Sequence, residues 1–307
     1  MSTSIFLEKK IFQYPNINET ALSFSLFGRT IDVQWYGLSY ICGVLVAWYL
    51  MLFIVRQPNL WSRSTQPISK NNVDDLITYL ILGILIGGRL GYCIFYTPIY
   101  YLDNPEKIFF LWEGGMSFHG GFLGVVIAGA FFAFRRNLSI LTLGDIIAFS
   151  SPPGLFFGRI ANFINGELWG RQTSSFWGIA FTKGGGQFCP DNSNIVCLRH
   201  PSQLYEATLE GILLLVIFFA LVYRFHALKK PGLIFGTFLL GYGLIRFFIE
   251  FVREADNFFI TETNPLGHAV KITSSLGLTM GQTLCLPMIL VGFLMIWNAV
   301  HQTTKCT

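Results

Sequence analysis

Charged residues are scarce in this sequence of 307 residues, where Asp, Glu, Lys and Arg together make up only 12%. A soluble domain carries about 25% charged residues, so this scarcity excludes a single water-soluble core. The sequence is instead 52% hydrophobic and contains 31 Phe. This composition is typical of an integral membrane protein.

The sequence also lacks a run of basic residues and a signal-peptide cleavage pattern. The formal net charge is only +4, and no run of basic residues resembles a nucleic-acid footprint, so no nucleic-acid partner is expected. No cleavage pattern follows Lys9 and Lys10, so we expect no removed signal peptide and a retained first span. The excess of Lys and Arg is better explained as a determinant of membrane topology.

Cysteine is also sparse, with six in the chain. Four lie inside apolar segments or in the tail and are interpreted as small packing residues: Cys42, Cys93, Cys285 and Cys306. Cys189 and Cys197 lie eight residues apart in the one long polar loop, where a disulfide is possible if that loop faces an oxidising compartment. Without further ligands they are not a metal site, and no metal is expected.

Seven apolar segments are long enough to cross a bilayer. They are 35–55, 73–96, a segment that opens at 114–122 and ends near 134, 143–164, 204–224, 232–252 and 280–300. The sequence therefore predicts an all-α integral membrane protein, a bundle of seven transmembrane helices.

The polar segments complete the predicted organisation. Residues 1–34 form an N-terminal arm, in which apolar and polar residues alternate around Gly28 as in a short hairpin. Transmembrane helices 1–4 occupy residues 35–164, and helices 5–7 occupy residues 203–300. Between them, residues 165–202 form a small extracytoplasmic head domain. Residues 301–307 form a cytoplasmic tail. Because the short loops 56–72, 135–142 and 224–231 are dense in Arg and Lys, the positive-inside rule places the carboxyl end in the cytoplasm and the amino end outside.

The segment 158–171 (GRIANFINGELWGR) carries the most informative charge. An arginine in hydrocarbon costs at least about 2.5 to 3.5 kcal/mol and cannot lose its proton. No carboxylate lies within a helical turn of Arg159, so we expect its partner to be a ligand anion. Asn162 shares the helix face of Arg159. The break at Pro152-Pro153-Gly154 is tolerated only in buried protein or beside a wet cavity.

Small residues recur every four positions at Gly83, Gly87 and Gly91, which predicts close helix packing. Arg89 lies among them and is expected to be structural, pairing with Asp74 or Asp75 or reaching the interface.

His119 is surrounded by four glycines in the segment 114–121 (GGMSFHGG), which leaves room for a ligand to approach its ring. A general base or head-group contact competes here with an ordinary hydrogen-bonded histidine. Tyr36 is either an aromatic-belt residue or a site hydroxyl. His200, Gln203 and Glu206 follow helical spacing and are compatible with a simple helix start.

The sixth span places four polar side chains on one face, at intervals of four, four and three residues: Tyr242, Arg246, Glu250 and Arg253. An Arg246–Glu250 pair accounts for two of them. Because that pair does not neutralise Arg89 and Arg159, the interior of the bundle is expected to be cationic.

At these motifs the sequence strongly resembles the prolipoprotein diacylglyceryl transferase family of bacterial membrane enzymes. The matching motifs occur in the right order over nearly the whole chain: 35–37 (WYG), 87–92 (GGRLGY), 114–121, 158–170, 200–206 (HPSQLYE), 241–243 (GYG) with Arg246, and 281–282 (GQ). The resemblance implies a multi-pass protein of the bacterial cytoplasmic (inner) membrane and no cofactor. The implied substrates are phosphatidylglycerol and the lipobox cysteine of a preprolipoprotein.

The implied reaction transfers the diacylglyceryl unit to the cysteine thiol, forms a thioether and releases glycerol 1-phosphate. The resemblance assigns head-group and catalytic roles to Arg159 and Arg246. It assigns supporting positions in the site to six further residues: Tyr36, His119, Asn162, Glu167, Gly170 and Tyr242. Arg89, His200 and Glu250 are secondary candidates.

The chemistry of the residues agrees with this reaction. Arginines away from bulk water stabilise the charge that develops on a leaving phosphate. The thiol needs activation because an unperturbed cysteine pKa is about 8.5. His119 is the candidate base because histidine titrates nearest to neutral pH, whereas Arg246 stays charged.

Two other classes remain open from the residues alone. A transporter of anionic lipids or organic anions would also have a broken helix and buried arginines, although no inverted repeat is evident. A non-catalytic membrane scaffold would use the polar residues only to join helices.

Overall fold

The computed structural model describes residues 12–15, 17–26, 28–62, 64–111, 114–183, 188–189, 192–255, 259–261, 264–271, 273 and 276–302. The first eleven residues of the predicted arm and the predicted tail beyond residue 302 lie outside the described residues. The side chain of His119 does so too, although its backbone is helical.

The described chain is mainly helical. Its α-helices are α1 (Trp35–Val55), α2 (Lys70–Phe95), α3 (Pro98–Asp103), α4 (Phe118–Arg135), α5 (Ile140–Ser150), α6 (Pro152–Asn165), α7 (Ser202–Glu206), α8 (Leu214–Phe225), α9 (Leu233–Ile249) and α10 (Met280–Gln302). A π-helical segment, Ala207–Leu213, joins α7 to α8.

Five helical segments are long and apolar enough to cross a membrane: Trp35–Val55, Lys70–Phe95, Ile140–Asn165, Ser202–Phe225 and Met280–His301. Two shorter apolar helices are Gly120–Arg135 and Leu233–Ile249. Each predicted span coincides with one of these seven segments to within a few residues. The lengths and positions of the apolar segments therefore located these helices correctly, and the structure supports a multi-pass membrane protein.

The polar segments contain short strands, so the protein is not purely helical. The described strands are β1 (Phe12–Gln13), β2 (Thr20–Leu26), β3 (Arg29–Gln34), β4 (Ile179–Ala180), β5 (Phe188–Cys189), β6 (Asn192–Val196), β7 (Val270–Lys271) and β8 (Gly277–Leu278). They pair as β1–β4 in parallel and as β2–β3, β5–β6 and β7–β8 antiparallel. The hairpin predicted around Gly28 is confirmed as β2–β3, with φ +75° at the glycine.

The chain forms two compact units. The first unit comprises Met1–Ala47, Ser151–Phe219 and Gly236–Trp297. The second unit comprises Trp48–Ser150, Ala220–Phe235 and Asn298–Thr307.

In the first unit, the N-terminal arm helps to end α6. Gly166 follows α6 with φ +66°, the left-handed conformation that glycine adopts without strain. The hydroxyl of Tyr14 donates to the carbonyl oxygens of Phe163, at 2.8 Å, and Ile164. Carbonyl groups at the end of a helix lack partners within it, so Tyr14 satisfies two of them. This contact holds the end of α6 where Asn162 and Glu167 lie.

The polar loop after α6 contains the disulfide that the sequence left open. Cys189 and Cys197 are joined, at the two ends of the β5–β6 hairpin. Of the other cysteines in the described chain, Cys93 and Cys285 are buried and Cys42 is exposed, all as free thiols.

In the second unit, α2 and α4 pack through glycines on both helices. A Cβ atom added to Gly124 would lie 1.9 Å from the carbonyl oxygen of Gly83, and one added to Gly87 would lie 2.4 Å from that of Gly120. The two backbones are therefore in direct contact, which only residues without a side chain allow. The close packing predicted from the four-residue glycine repeat is confirmed.

Arg89, at the same crossing, is structural. Its guanidinium donates to the carbonyl oxygens of Ile108 at 2.9 Å, Lys107 at 2.6 Å, Phe110 at 3.0 Å and Gly115 at 3.1 Å, and also to Gly114. Five carbonyl dipoles thus solvate a buried charge and hold the loop before α4.

The pairing expected for Arg89 was wrong. Asp74 accepts instead from the indole nitrogen of Trp48 at 2.7 Å, and Asp75 pairs with Arg136. In the described part of this loop, Arg89 is thus bonded to carbonyl oxygens and not to Asp74 or Asp75.

We predict that Gly124→Ala destabilises the protein by about 1–3 kcal/mol, because the new methyl group forces apart two backbones in contact. Thermal unfolding in detergent measures the effect. Gly121→Ala on the same helix is the control, since a Cβ there would lie 3.7 Å from its nearest neighbour. Equal stability of the two variants would contradict this account of the helix crossing.

Candidate active site

The site is built around Arg159, on the face of α6 that also carries Asn162. Its Nε and one terminal nitrogen both lie 3.3 Å from Oε2 of Glu210, and the other terminal nitrogen lies 3.1 Å from Oε2 of Glu206. The expectation that no protein carboxylate would reach Arg159 was therefore wrong. The partners come from the segment 202–225, which lies far away in sequence.

Glu206 joins Arg159 to two further arginines. Its Oε1 pairs with Arg246 and lies 3.8 Å from Arg253. Glu250 pairs with Arg246 at 2.5 Å and lies 3.9 Å from Arg253. The predicted Arg246–Glu250 pair is thus confirmed as part of a larger group.

We call this group the arginine–glutamate cluster. It consists of Arg159, Arg246, Arg253, Glu206, Glu210 and Glu250. With equal numbers of arginines and glutamates, the cluster is formally balanced, and Arg89 is solvated by carbonyl groups elsewhere. The prediction of an uncompensated cationic interior was therefore wrong.

The cluster is asymmetric in its exposure. The side chains of Arg159, Arg246 and Arg253 are 15%, 13% and 12% exposed, whereas those of Glu206, Glu210 and Glu250 are 0%, 0% and 6% exposed. The glutamates of the cluster are therefore more deeply buried than its arginines, each of which keeps a small exposed fraction.

The start of α10 positions Glu250. Thr279 and Gln282 form a capping box, in which each side chain accepts from the other residue's backbone N–H, at 3.2 and 3.1 Å. The hydroxyl of Thr279 also donates to Glu250 at 2.8 Å. A Cβ added to Gly281 would lie 2.6 Å from the Glu250 carboxylate, so this glycine leaves room for it. The GQ motif at residues 281–282 thus helps to hold the Glu250 carboxylate in its position.

A second polar group lies at the end of α6. The Tyr36 hydroxyl donates to the Glu167 carboxylate, and the Asn162 amide donates to both, at 2.9 Å to Glu167. Gln203 donates to the Glu167 carbonyl oxygen at 2.6 Å. Three of the predicted substrate-binding residues are therefore assembled from α1, α6 and the loop after it. Tyr36 belongs to this network and is more than a belt residue.

Gly170 has a backbone role. Its N–H donates to the carbonyl oxygen of His200 at 2.8 Å, and it forms a β-bridge with Arg253. A Cβ there would lie 2.4 Å from the carbonyl oxygen of Val252. Gly170 therefore allows the loop to approach the segment that carries Arg253.

The remaining candidates have simpler surroundings. His200 lies 3.2 Å from the hydroxyl of Tyr205, and burial lowers the pKa of its imidazole, which favours the neutral form. Tyr242 is buried one turn before Arg246 and stacks on Phe238, with ring centroids 5.7 Å apart. His119 is the second residue of α4 in the second unit, and its side chain lies outside the described residues.

Among the described residues, no group of three or more His, Cys, Asp and Glu side chains could hold a metal ion. The described side chains gathered at the site supply guanidinium, carboxylate, phenol and amide groups.

Comparison with known proteins decides the family. The family model for prolipoprotein diacylglyceryl transferase matches residues 22–298. The chain belongs to the prolipoprotein diacylglyceryl transferase family. The resemblance based on its motifs is thereby confirmed.

Several curated relatives of this family member are named phosphatidylglycerol--prolipoprotein diacylglyceryl transferase. The relative from Ruegeria pomeroyi is 48% identical over 289 residues, which cover 94% of this chain and 97% of the relative. The one from Roseobacter denitrificans is 49% identical over the same shares. One from Cereibacter sphaeroides is 50% identical over 93% of this chain and 97% of the relative.

Sequence reasoning missed Glu210, a fully buried acid of the arginine–glutamate cluster in this diacylglyceryl transferase family member. A signal was present, because Glu210 lies in an apolar span, four residues after Glu206. An ionisable residue within a span is a functional candidate by default. The π-helical segment that carries it is a second such sign, because π-helices occur frequently at functional sites.

We predict that Gly170→Ala lowers both the thermal stability and the activity of this family member, because its methyl group would displace the backbone beside Arg253. Unfolding temperature and the rate of the transfer reaction proposed below are the two measurements. Gly154→Ala is the control in the same unit, since a Cβ there meets nothing within 4 Å. A stable and fully active Gly170→Ala variant would rule out this backbone role.

Proposed function

We propose that this protein transfers the diacylglyceryl group of phosphatidylglycerol to the lipobox cysteine thiol of a prolipoprotein. The thiol sulfur forms a bond to the carbon of the diacylglyceryl unit that carries the phosphate. The bond from that carbon to the phosphate oxygen breaks, and glycerol 1-phosphate leaves. The proposal rests on the family and on one observation, the three partly exposed arginines that pair with deeply buried glutamates.

The carboxylates do not prevent the cluster from binding an anion. A guanidinium group has five N–H donors, and the protein carboxylates use only part of this capacity. Arg159 and Arg246 are held in fixed positions, so they stabilise charge on the leaving phosphate with little reorganisation. In this proposal both arginines are catalytic and Arg159 also binds the head group. Glu250 holds Arg246.

The polar group at the end of α6 supports a role in binding the rest of the head group. Tyr36, Asn162 and Glu167 provide a phenol, an amide and a carboxylate within one hydrogen-bonded network. Such groups can orient glycerol hydroxyls and phosphate oxygens. Tyr242 and Gly170 complete the proposed binding positions, the latter through its backbone.

His119 is the proposed base that accepts the thiol proton. His119 lies at the start of α4 and is followed by Gly120 and Gly121, and histidine titrates nearest to neutral pH. Arg246 is unsuitable because guanidinium does not lose its proton in proteins.

We further propose seven transmembrane spans in the bacterial inner membrane, with the amino end outside and the carboxyl end in the cytoplasm. The five long spans and two shorter apolar helices support this number. The Cys189–Cys197 disulfide supports an outer position for the proposed head domain 165–202, because disulfides persist in oxidising compartments. The transporter alternative has no comparable support, since the relatives are named as transferases.

Arg159→Lys tests the proposed function. Lysine keeps the charge but loses the planar fork, so we expect transfer to fall by about 100-fold or more while the protein stays folded. Mass spectrometry of a lipobox peptide incubated with phosphatidylglycerol vesicles and the purified protein measures transfer. Alanine is less suitable, because it leaves Glu210 buried without its arginine partner, at a cost of about 3–5 kcal/mol.

Arg136→Lys is the matched control, because Arg136 forms an exposed pair with Asp75 in the second unit. We expect wild-type transfer from this variant. Full activity of Arg159→Lys would refute the role given to Arg159, and an inactive wild type would refute the function itself.

His119→Gln tests the proposed base. We expect a strong loss of rate at neutral pH and a smaller loss at alkaline pH, where the thiol, with an unperturbed pKa of about 8.5, ionises by itself. The measurement is the pH profile of kcat/KM. A loss that is the same at every pH would make His119 a residue that orients the substrate instead.

A further inference from the structure

Glu210 has fewer polar partners than Glu206 and Glu250, the other two acids of the arginine–glutamate cluster. Glu206 reaches three arginines and Glu250 contacts two arginines and Thr279. The hydrogen bonds and the ion pair of Glu210 within the described residues all go to Arg159, through Oε2. Its Oε1 is buried and has no hydrogen-bond partner there.

An unsatisfied buried oxygen is costly, so the position of Glu210 requires a reason. A carboxylate that served mainly to join helices would be expected to use both of its oxygens. Glu210 instead commits one oxygen to one guanidinium. Its contacts thus serve the orientation of Arg159.

The two contacts lie on a particular edge of that guanidinium. Oε2 of Glu210 accepts from Nε and from one terminal nitrogen, each at 3.3 Å. This side edge is therefore occupied, whereas the end edge, formed by the two terminal nitrogens, retains donors. Glu206 lies 3.1 Å from the other terminal nitrogen but accepts no hydrogen bond through that oxygen. The end edge has the fork geometry that binds phosphate in a bidentate manner.

The backbone around Glu210 is shaped for this contact. Glu210 lies in the π-helical segment, and the next residue, Gly211, packs on α6 one turn before Arg159. A Cβ added to Gly211 would lie 2.6 Å from the Cβ of Phe156 and 3.0 Å from its Cα. Only glycine permits this approach of the two segments, which brings Glu210 to Arg159.

We infer that Glu210 is a positioning residue, which occupies the side edge of the Arg159 guanidinium and thereby directs its end edge to the phosphate of the lipid donor. This inference rests on the proposed function, since the phosphate is that of phosphatidylglycerol. Glu210 itself does not contact the reacting atoms in this account.

The test is Glu210→Gln in the full-length protein, assayed for transfer from phosphatidylglycerol to a lipobox peptide. We expect kcat to fall by about ten-fold or more with no increase in KM for the lipid, because orientation is lost but no positive charge is removed. Thermal unfolding is measured on the same samples. Glu254→Gln is the matched control, because it removes a glutamate paired with Arg199, at 2.7 Å, outside the cluster.

Other roles of Glu210 predict different results. A carboxylate that only offsets charge predicts an unchanged kcat and a lower KM, because the anionic lipid would then be attracted more strongly. A carboxylate that only joins helices predicts lower stability with a normal kcat for the folded protein. Either result would overturn the inference.

Glu210→Asp keeps the charge on a shorter side chain and provides a second test if the Gln variant fails to fold. We expect near wild-type stability and a reduced kcat, since the oxygen no longer reaches both nitrogens. A wild-type kcat, or failure of both variants to fold, would contradict a positioning role. An inactive wild type would instead reject the proposed function.

Discussion

The ion pairs that hold Arg159 between Glu206 and Glu210 impose the strongest constraint on the first unit. A guanidinium group cannot become neutral, and two fully buried carboxylates need positive partners, so these charges must meet within an apolar region. Buried ion pairs contribute little net stability compared with apolar packing. A contribution to folding stability alone is therefore a poor explanation for the cluster.

Meeting this constraint requires backbones that approach closely. Gly211 lets the π-helical segment contact α6, and Gly281 leaves space for the Glu250 carboxylate. Gly170 does the same for the loop beside Arg253. In each case the absence of a side chain leaves space for a charged neighbour or for the segment that carries it. These glycines therefore affect the geometry of the site although they have no functional group of their own.

Local patterns in the sequence predicted much of this structure. The helices coincide with the apolar segments, because each apolar run is a property of consecutive residues. The Arg246–Glu250 pair and the shared face of Arg159 and Asn162 followed from helical spacing, which is also local. The partners of Arg159 did not follow, because Glu210 lies 51 residues further along the chain and no spacing rule links them.

The wrong pairing expected for Arg89 has the same cause. Its carbonyl partners lie 18 to 26 residues further along the chain, and no spacing rule links them to Arg89. Charge counting suggested a cationic interior because it could not detect which acids fold back onto which arginines.

The sequence by itself determined that the protein is a helical membrane protein, which family it resembles and which residue types supply the chemistry. These properties depend on composition, periodicity and short motifs. Only the tertiary structure decided how the charges pair and that Glu210 joins the arginine–glutamate cluster. Those properties depend on contacts between segments distant in the chain, whose distances are set by packing and glycine-mediated approach.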